Sequence, residues 1–147
     1  MSPADSKALV VDAWKTFATR DPEAIARCFA PDAEWIAQAG NATAVALEMT
    51  HHIVGREVIA AFLAEGFREL LRDAQVQFTA IHADENRVVV EETTRATLPG
   101  GAPYENDYCF VFELEGGRIR RVREYMDTLR GWRQVFGPAA APAPAGA

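Results

Sequence analysis

Between Tyr104 and Leu114 one row of alternate residues reads Tyr104, Asn106, Tyr108, Phe110, Phe112, Leu114. The other reads Glu105, Asp107, Cys109, Val111, Glu113. A period of two sustained that far specifies a strand with one face turned to a core. The inward row also grades, from Phe and Leu at one end to Tyr and Asn at the other. A core that becomes polar along a single strand is how a small-molecule cavity is lined.

Three further segments read as long strands flanking this one, at about Ala74–Ala83, Arg87–Leu98 and Arg118–Leu129. Asp84-Glu85-Asn86, Pro99 to Pro103 and Gly116-Gly117 supply the turns between them. Ahead of the strands come helical patterns. Leu9, Val10, Ala13, Trp14 and Phe17 make an apolar stripe over about Ala4–Thr19. Asp21 and Pro22 restart a short helix to Phe29, as an N-cap and a first-turn proline do. A short strand follows at about Ala33–Ala37, then an aperiodic loop over Gln38–Thr50. A third helix is expected over Gly55–Leu71. Helices first and antiparallel strands after give an α+β class. Strands of this length, strongly twisted, curl around the helices into a cone with an open mouth. The expected organisation is one domain over residues 1–136. The Ala/Pro/Gly run 137–147 has no face to bury and is expected to be a disordered tail.

The last strand carries Ile119, Val122 and Met126 with Glu124 and Asp127. Ile119 and Val122 cannot share a face without a bulge near Arg120. With that bulge Glu124 faces inward beside Met126, and Asp127 outward; a second bulge reverses the two. A carboxylate in a core row costs stability unless something pairs with it or uses it. In Arg87–Leu98 the alternation leaves the inward face open. If Glu91 faces Glu124, the two carboxylates repel and one titrates high, with Arg95 opposing the effect. His52, just before the third helix, is a candidate general base; the His51-His52 pair lacks a third ligand at metal spacing.

Composition narrows the partners. The chain is 49% hydrophobic, ample for a packed core, and its formal net charge is −6. That balance disfavours nucleic acid, which requires clustered Lys and Arg. No stretch approaches ~18 apolar residues, so no membrane span is expected. The two cysteines lie far apart without a metal spacing, and the N-terminus lacks a signal-peptide core, so a cytoplasmic protein is expected.

Four segments carry a resemblance to a known superfamily. They are Phe17–Ala24 with Cys28–Trp35, Gly55–Phe62, Tyr104–Tyr108 leading to Phe112, and Gly117 to Thr128. Together they resemble the nuclear transport factor two-like superfamily, in its SnoaL-like and ketosteroid-isomerase-related branch. The resemblance implies a cone-shaped α+β barrel: a strongly curved, mostly antiparallel sheet wrapped around three N-terminal helices. It implies a deep apolar pocket, often a homodimer through the outer sheet face, and proton transfer without metal or organic cofactor. Departures are plain. The basic aspartate of ketosteroid isomerase falls on Ala37, and the aspartate–arginine–aspartate set of limonene epoxide hydrolase falls on Glu124, Glu91 and Thr93.

Two readings result. In the first, a cofactor-independent enzyme acts on a small, largely apolar carbonyl or polycyclic compound. Glu124 is its acid/base, Tyr108 and Asn106 donate to a developing oxyanion, and His52 assists. Arg95 and Glu91 are polar partners. Trp14, Phe17, Trp35, Phe62 and Phe67 form apolar wall, and Phe110 and Met126 surround the acid. In the second, the same domain binds a ligand or a protein without turnover. A homodimer is expected in either case, with Arg121, Arg123 and Tyr125 meeting acidic partners such as Glu113.

Overall fold

The computed structural model describes residues 1–140, and residues 141–147 of the expected tail lie outside it. Helix α1 spans Pro3–Ala18. Ser2 caps it in a reciprocal box with Asp5, and Val10, Ala13 and Phe17 are buried along one face. Helix α2, Pro22–Arg27, starts where Asp21 accepts the backbone N–H groups of Glu23 and Ala24. Strand β1 then runs Phe29–Ile36, several residues longer than the sequence suggests.

The stretch expected as a loop holds a one-turn helix α3, Ala42–Ala46, capped by the buried Asn41 side chain. Strand β2, His52–Val54, follows it. Neither is long enough to show a period. Helix α4 covers Arg56–Ala64 rather than running to Leu71. Gly66, costly inside a helix, opens a 3-10 turn over Gly66–Glu69 instead.

Strands β3 Arg72–Asp84, β4 Arg87–Thr97, β5 Pro103–Glu115 and β6 Arg118–Met126 match the expected order. The sequence pattern extends β6 to Leu129, but Asp127 ends it. Its carboxylate accepts the Arg130 N–H and caps helix α5, Thr128–Phe136. The six strands form one curved, unclosed sheet in the order β2-β1-β6-β5-β4-β3. All neighbours are antiparallel except β1 and β6, so the sheet is mixed.

Helix α1 packs on β3 and β4, and α4 packs on α2 and β1. Between helices and sheet lies the main core, with Phe17, Ile25, Phe29, Val88, Phe112 and Val122 all buried. Side chains of this size each contribute roughly 1.5–3 kcal/mol by leaving water. The β5–β6 register steps from Glu113 opposite Arg121 to Leu114 opposite Ile119, leaving Arg120 as the extra residue. This bulge lets Ile119 and Val122 both point inward. It also fixes Glu124 on the inner face.

Candidate functional site

Three strands place the polar groups. On β5 the inward row is Tyr104, Asn106, Tyr108, Phe110 and Phe112, all buried. On β4 it is Val88, Val90, Glu92 and Thr94. On β6 it is Val122 and Glu124. Glu92 lies opposite Tyr108, and Glu124 lies opposite Phe110, so the two carboxyls flank β5 from either side. A cavity of about 440 Å³ opens between this face, α1 and the α4–β3 connection. Its polar lining includes Glu92, Thr94, Tyr108 and Glu124. Its aromatic wall includes Trp14, Phe17, Trp35, Phe62, Phe67 and Phe110, with Phe78 at the rim.

Glu92 is 3% exposed. Thr94 Oγ1 donates to its Oε1 at 2.7 Å, while Oε2 has no partner among the described residues. Burial pushes its pKa to about 7, against the pull of the Thr94 bond. Glu124 is also pushed to about 7, first by burial, with the charge of Glu92 adding to the rise. The Trp35 indole works against that rise, although its Nε1 falls short of hydrogen-bond geometry with any acceptor among the described residues. Gln38 Nε2 donates to the Glu124 carbonyl at 2.8 Å and pins the strand there.

Beside the acids runs a phenol chain. Tyr104 and Tyr108 hydroxyls are 2.7 Å apart. Asn106 Nδ2 donates to the Tyr104 hydroxyl at 3.3 Å and to the Asp127 carbonyl at 3.0 Å. Burial is the first cause that raises both phenol pKa values, so both stay protonated and serve as donors rather than bases. Helix α5 seals this end. A Cβ on Gly131 would stand 3.1 Å from Asn106 Nδ2, so only glycine lets the helix approach without displacing that side chain.

Six residues singled out from the sequence stand outside the cavity lining. His52 is exposed on β2, its Nε2 2.9 Å from Glu34 Oε1, outside the cavity lining. Glu91 and Arg95 occupy the outer row of β4, because the pleat turns Glu92 and Thr94 inward. Glu91 Oε2 is 4.0 Å from the His82 imidazole, and Arg95 pairs with Glu105 at 2.8 Å. The residue beside Glu124 is therefore Glu92, not Glu91. Asn106 is fully buried behind Tyr104 and contributes through it rather than by lining the cavity. Met126 packs on the core but not on the cavity. Asp127 is the α5 cap.

Glu92 was within reach of the sequence. The even row of β4, Val88 to Leu98, holds one charged residue, whereas the odd row from Arg87 holds Arg87, Glu91 and Arg95. Counting charges by row selects the even row as the inner one. Phe78 and Arg68 carried no such signal.

The comparisons with known proteins agree with this architecture. A family model of the SnoaL-like domain matches residues 10–122. Among solved structures, an NTF2-like protein of unknown function from Burkholderia pseudomallei K96243 superposes with a TM-score of 0.75 at 21% identity, covering 92% of this chain and 99% of the other. TerC co-crystallised with polyporic acid gives 0.76 at 21% identity, covering 89% and 98%. A hypothetical protein with a ketosteroid isomerase-like fold from Catenulispora acidiphila DSM 44928, in complex with trimethylamine, gives 0.68 at 18% identity, covering 92% and 94%. No curated protein matches the chain by sequence. At these identities the structural neighbours share the fold with this chain.

Proposed function

The chain belongs to the SnoaL-like domain family, and we propose that it is a cofactor-independent enzyme doing acid/base chemistry on a small, largely apolar carbonyl or polycyclic compound. The observation that carries this reading is the pair of inward carboxyls, Glu92 and Glu124, flanking Tyr108 in one apolar cavity. Carboxyls held near neutral can both take and return a proton at working pH. Glu124 takes the proton next to the substrate carbonyl. The charge of Glu92 adds to the rise of Glu124, which helps hold its proton near neutral pH. Tyr108 donates to the carbonyl oxygen as charge develops there. Asn106 donates to Tyr104, and when Tyr104 in turn donates to Tyr108 the Tyr108 proton is left for the ligand. TerC's polyporic acid supports a small-molecule occupant for the cavity.

The reading is tested by deuterium exchange of α-protons in a panel of apolar ketones and β-dicarbonyl compounds. Wild-type protein should exchange at least one member of the panel. Glu124→Gln should slow that exchange roughly 10²-fold or more while leaving binding in place. A second reading, binding without turnover, is favoured by Ala37 standing where the isomerases carry their base. Equal exchange by both proteins, at the rate of buffer alone, would establish it.

The same proposal includes a cytoplasmic setting and a homodimer on the outer sheet face. No helix of the described residues is long and apolar enough to cross a membrane. Tyr125 is exposed on the outer face, beside Arg123. Light scattering should return about twice the 16.1 kDa chain mass, and a particle of chain mass would remove the dimer.

A further inference from the structure

Arg68 is the one arginine that is both partly buried and without a carboxylate partner among the described residues. The other unpaired arginines, Arg27, Arg72, Arg118 and Arg133, are exposed to solvent. Arg68 lines the mouth of the cavity. Its guanidinium carbon sits 4.9 Å from the centre of the Phe67 ring, and its Nε donates to the Ala64 carbonyl at 3.2 Å. Those two contacts fix the plane of the group. They use one of its five donors and leave both terminal nitrogens without a partner among the described residues. Capping the end of α4 explains the Nε bond alone.

A second observation points the same way. The indole N–H groups of Trp14 and Trp35, both residues of the cavity wall, are buried without an acceptor among the described residues. An unmade buried hydrogen bond costs about 1–3 kcal/mol. An oxygen of a bound ligand can meet these donors, and at the mouth Arg68, with the charges of Arg20 and Glu65 acting on it, presents its terminal guanidinium nitrogens.

We infer that the ligand carries a carboxylate, or an equally planar acidic oxygen pair, which Arg68 binds at the mouth while the apolar body lies along the aromatic wall. This rests on the pocket reading above and names the substrate class. A planar, oriented guanidinium suits such a group better than a lysine does, because two parallel N–H donors meet two oxygens. The arrangement gives the ligand a direction: acid end outward at Arg68, reacting carbonyl inward at Tyr108. Lys15, the other cation of the rim, is held by Asp12 at 3.3 Å and is exposed.

The test is calorimetric titration at pH 6 with 2-naphthoate, 2-naphthamide and 2-naphthylmethylammonium. Wild-type protein should bind the naphthoate about 10-fold or more tighter than the amide, the scale of one charge-assisted pair. Arg68→Gln should bring the two within about 2-fold, chiefly by weakening the naphthoate. Arg68→Lys should keep part of the preference, which loss of packing alone would not restore. Equal binding of acid and amide by the wild type, or a preference that survives in Arg68→Gln, overturns the inference and leaves the pocket reading standing. Tightest binding of the ammonium probe also overturns it. Binding of none of the three removes the pocket reading, and the inference with it.

Discussion

Glu91 and Glu92 are adjacent in sequence and opposite in fate. Glu91 faces outward on β4 with the imidazole of His82 near it; Glu92 faces inward with a single threonine for company. The contrast extends over the two faces of the sheet. Outside, Glu113 meets Arg87, Arg121 and Arg123, and Glu34 meets Arg121 and His52. The Arg121 hydrogen bond is the first cause that lowers the Glu34 pKa, and the Arg130 bond does the same for Glu105. Inside, Glu92 and Glu124 line a cavity walled by aromatic rings, and burial raises both. One residue type is thus a permanent anion on one face and a neutral-range acid on the other. The difference lies in what the pleat turns each toward.

The comparison is sharpened most by pH. Glu92 holds a proton in the folded state to about 7 but releases it near the ordinary carboxylate value when unfolded. The folded state therefore binds more protons across that interval, and stability falls as pH rises from about 4.5 through 7. For so buried a group the full loss is on the order of 3 kcal/mol. Glu92→Gln should remove that part of the slope and make the protein more stable than wild type at pH 8, by urea unfolding at a series of pH values. The outer carboxylates of Glu34 and Glu105 act in the opposite sense. Their stabilisation is present above the ordinary carboxylate range and is lost as pH falls through their lowered values. An unchanged slope in Glu92→Gln would break the comparison.

A smaller effect belongs to the outer face. Glu113→Gln should cost about 1 kcal/mol or less, because arginine pairs this near solvent are weakened by water and salt. The loss should shrink in 1 M salt, measured by the same unfolding. A cost above roughly 3 kcal/mol would mean that the outer network is buried by something, and a second copy of the chain is the first candidate.

The architecture was legible because long strands repeat one period many times. The even row of β5 and the Gly116-Gly117 turn fixed their own faces, and the Ile119–Val122 spacing required a bulge that the structure contains. What was not legible was short or set by contact. Helix α3 and strand β2 are too brief to show a period, and α5 hid behind the continued alternation of Met126 and Thr128. The acid Glu124 could be placed from its own strand. Its partner could not be placed by alternation, since β4 carries Glu and Thr on both faces and only the charge count separates them. Arg68 became visible when the 3-10 turn carried it to the cavity mouth, which the expected helix over Gly55–Leu71 did not foresee.

The most direct test is a carbon-detected NMR titration of the glutamate carboxyl resonances, assigned with Glu92→Gln and Glu124→Gln. The account predicts two resonances, belonging to Glu92 and Glu124, that titrate as a coupled pair with apparent midpoints near 7. Removing either residue should lower the midpoint of the other, because the charge of one raises the other. Both resonances titrating in the ordinary carboxylate range, near 4.3, would contradict it.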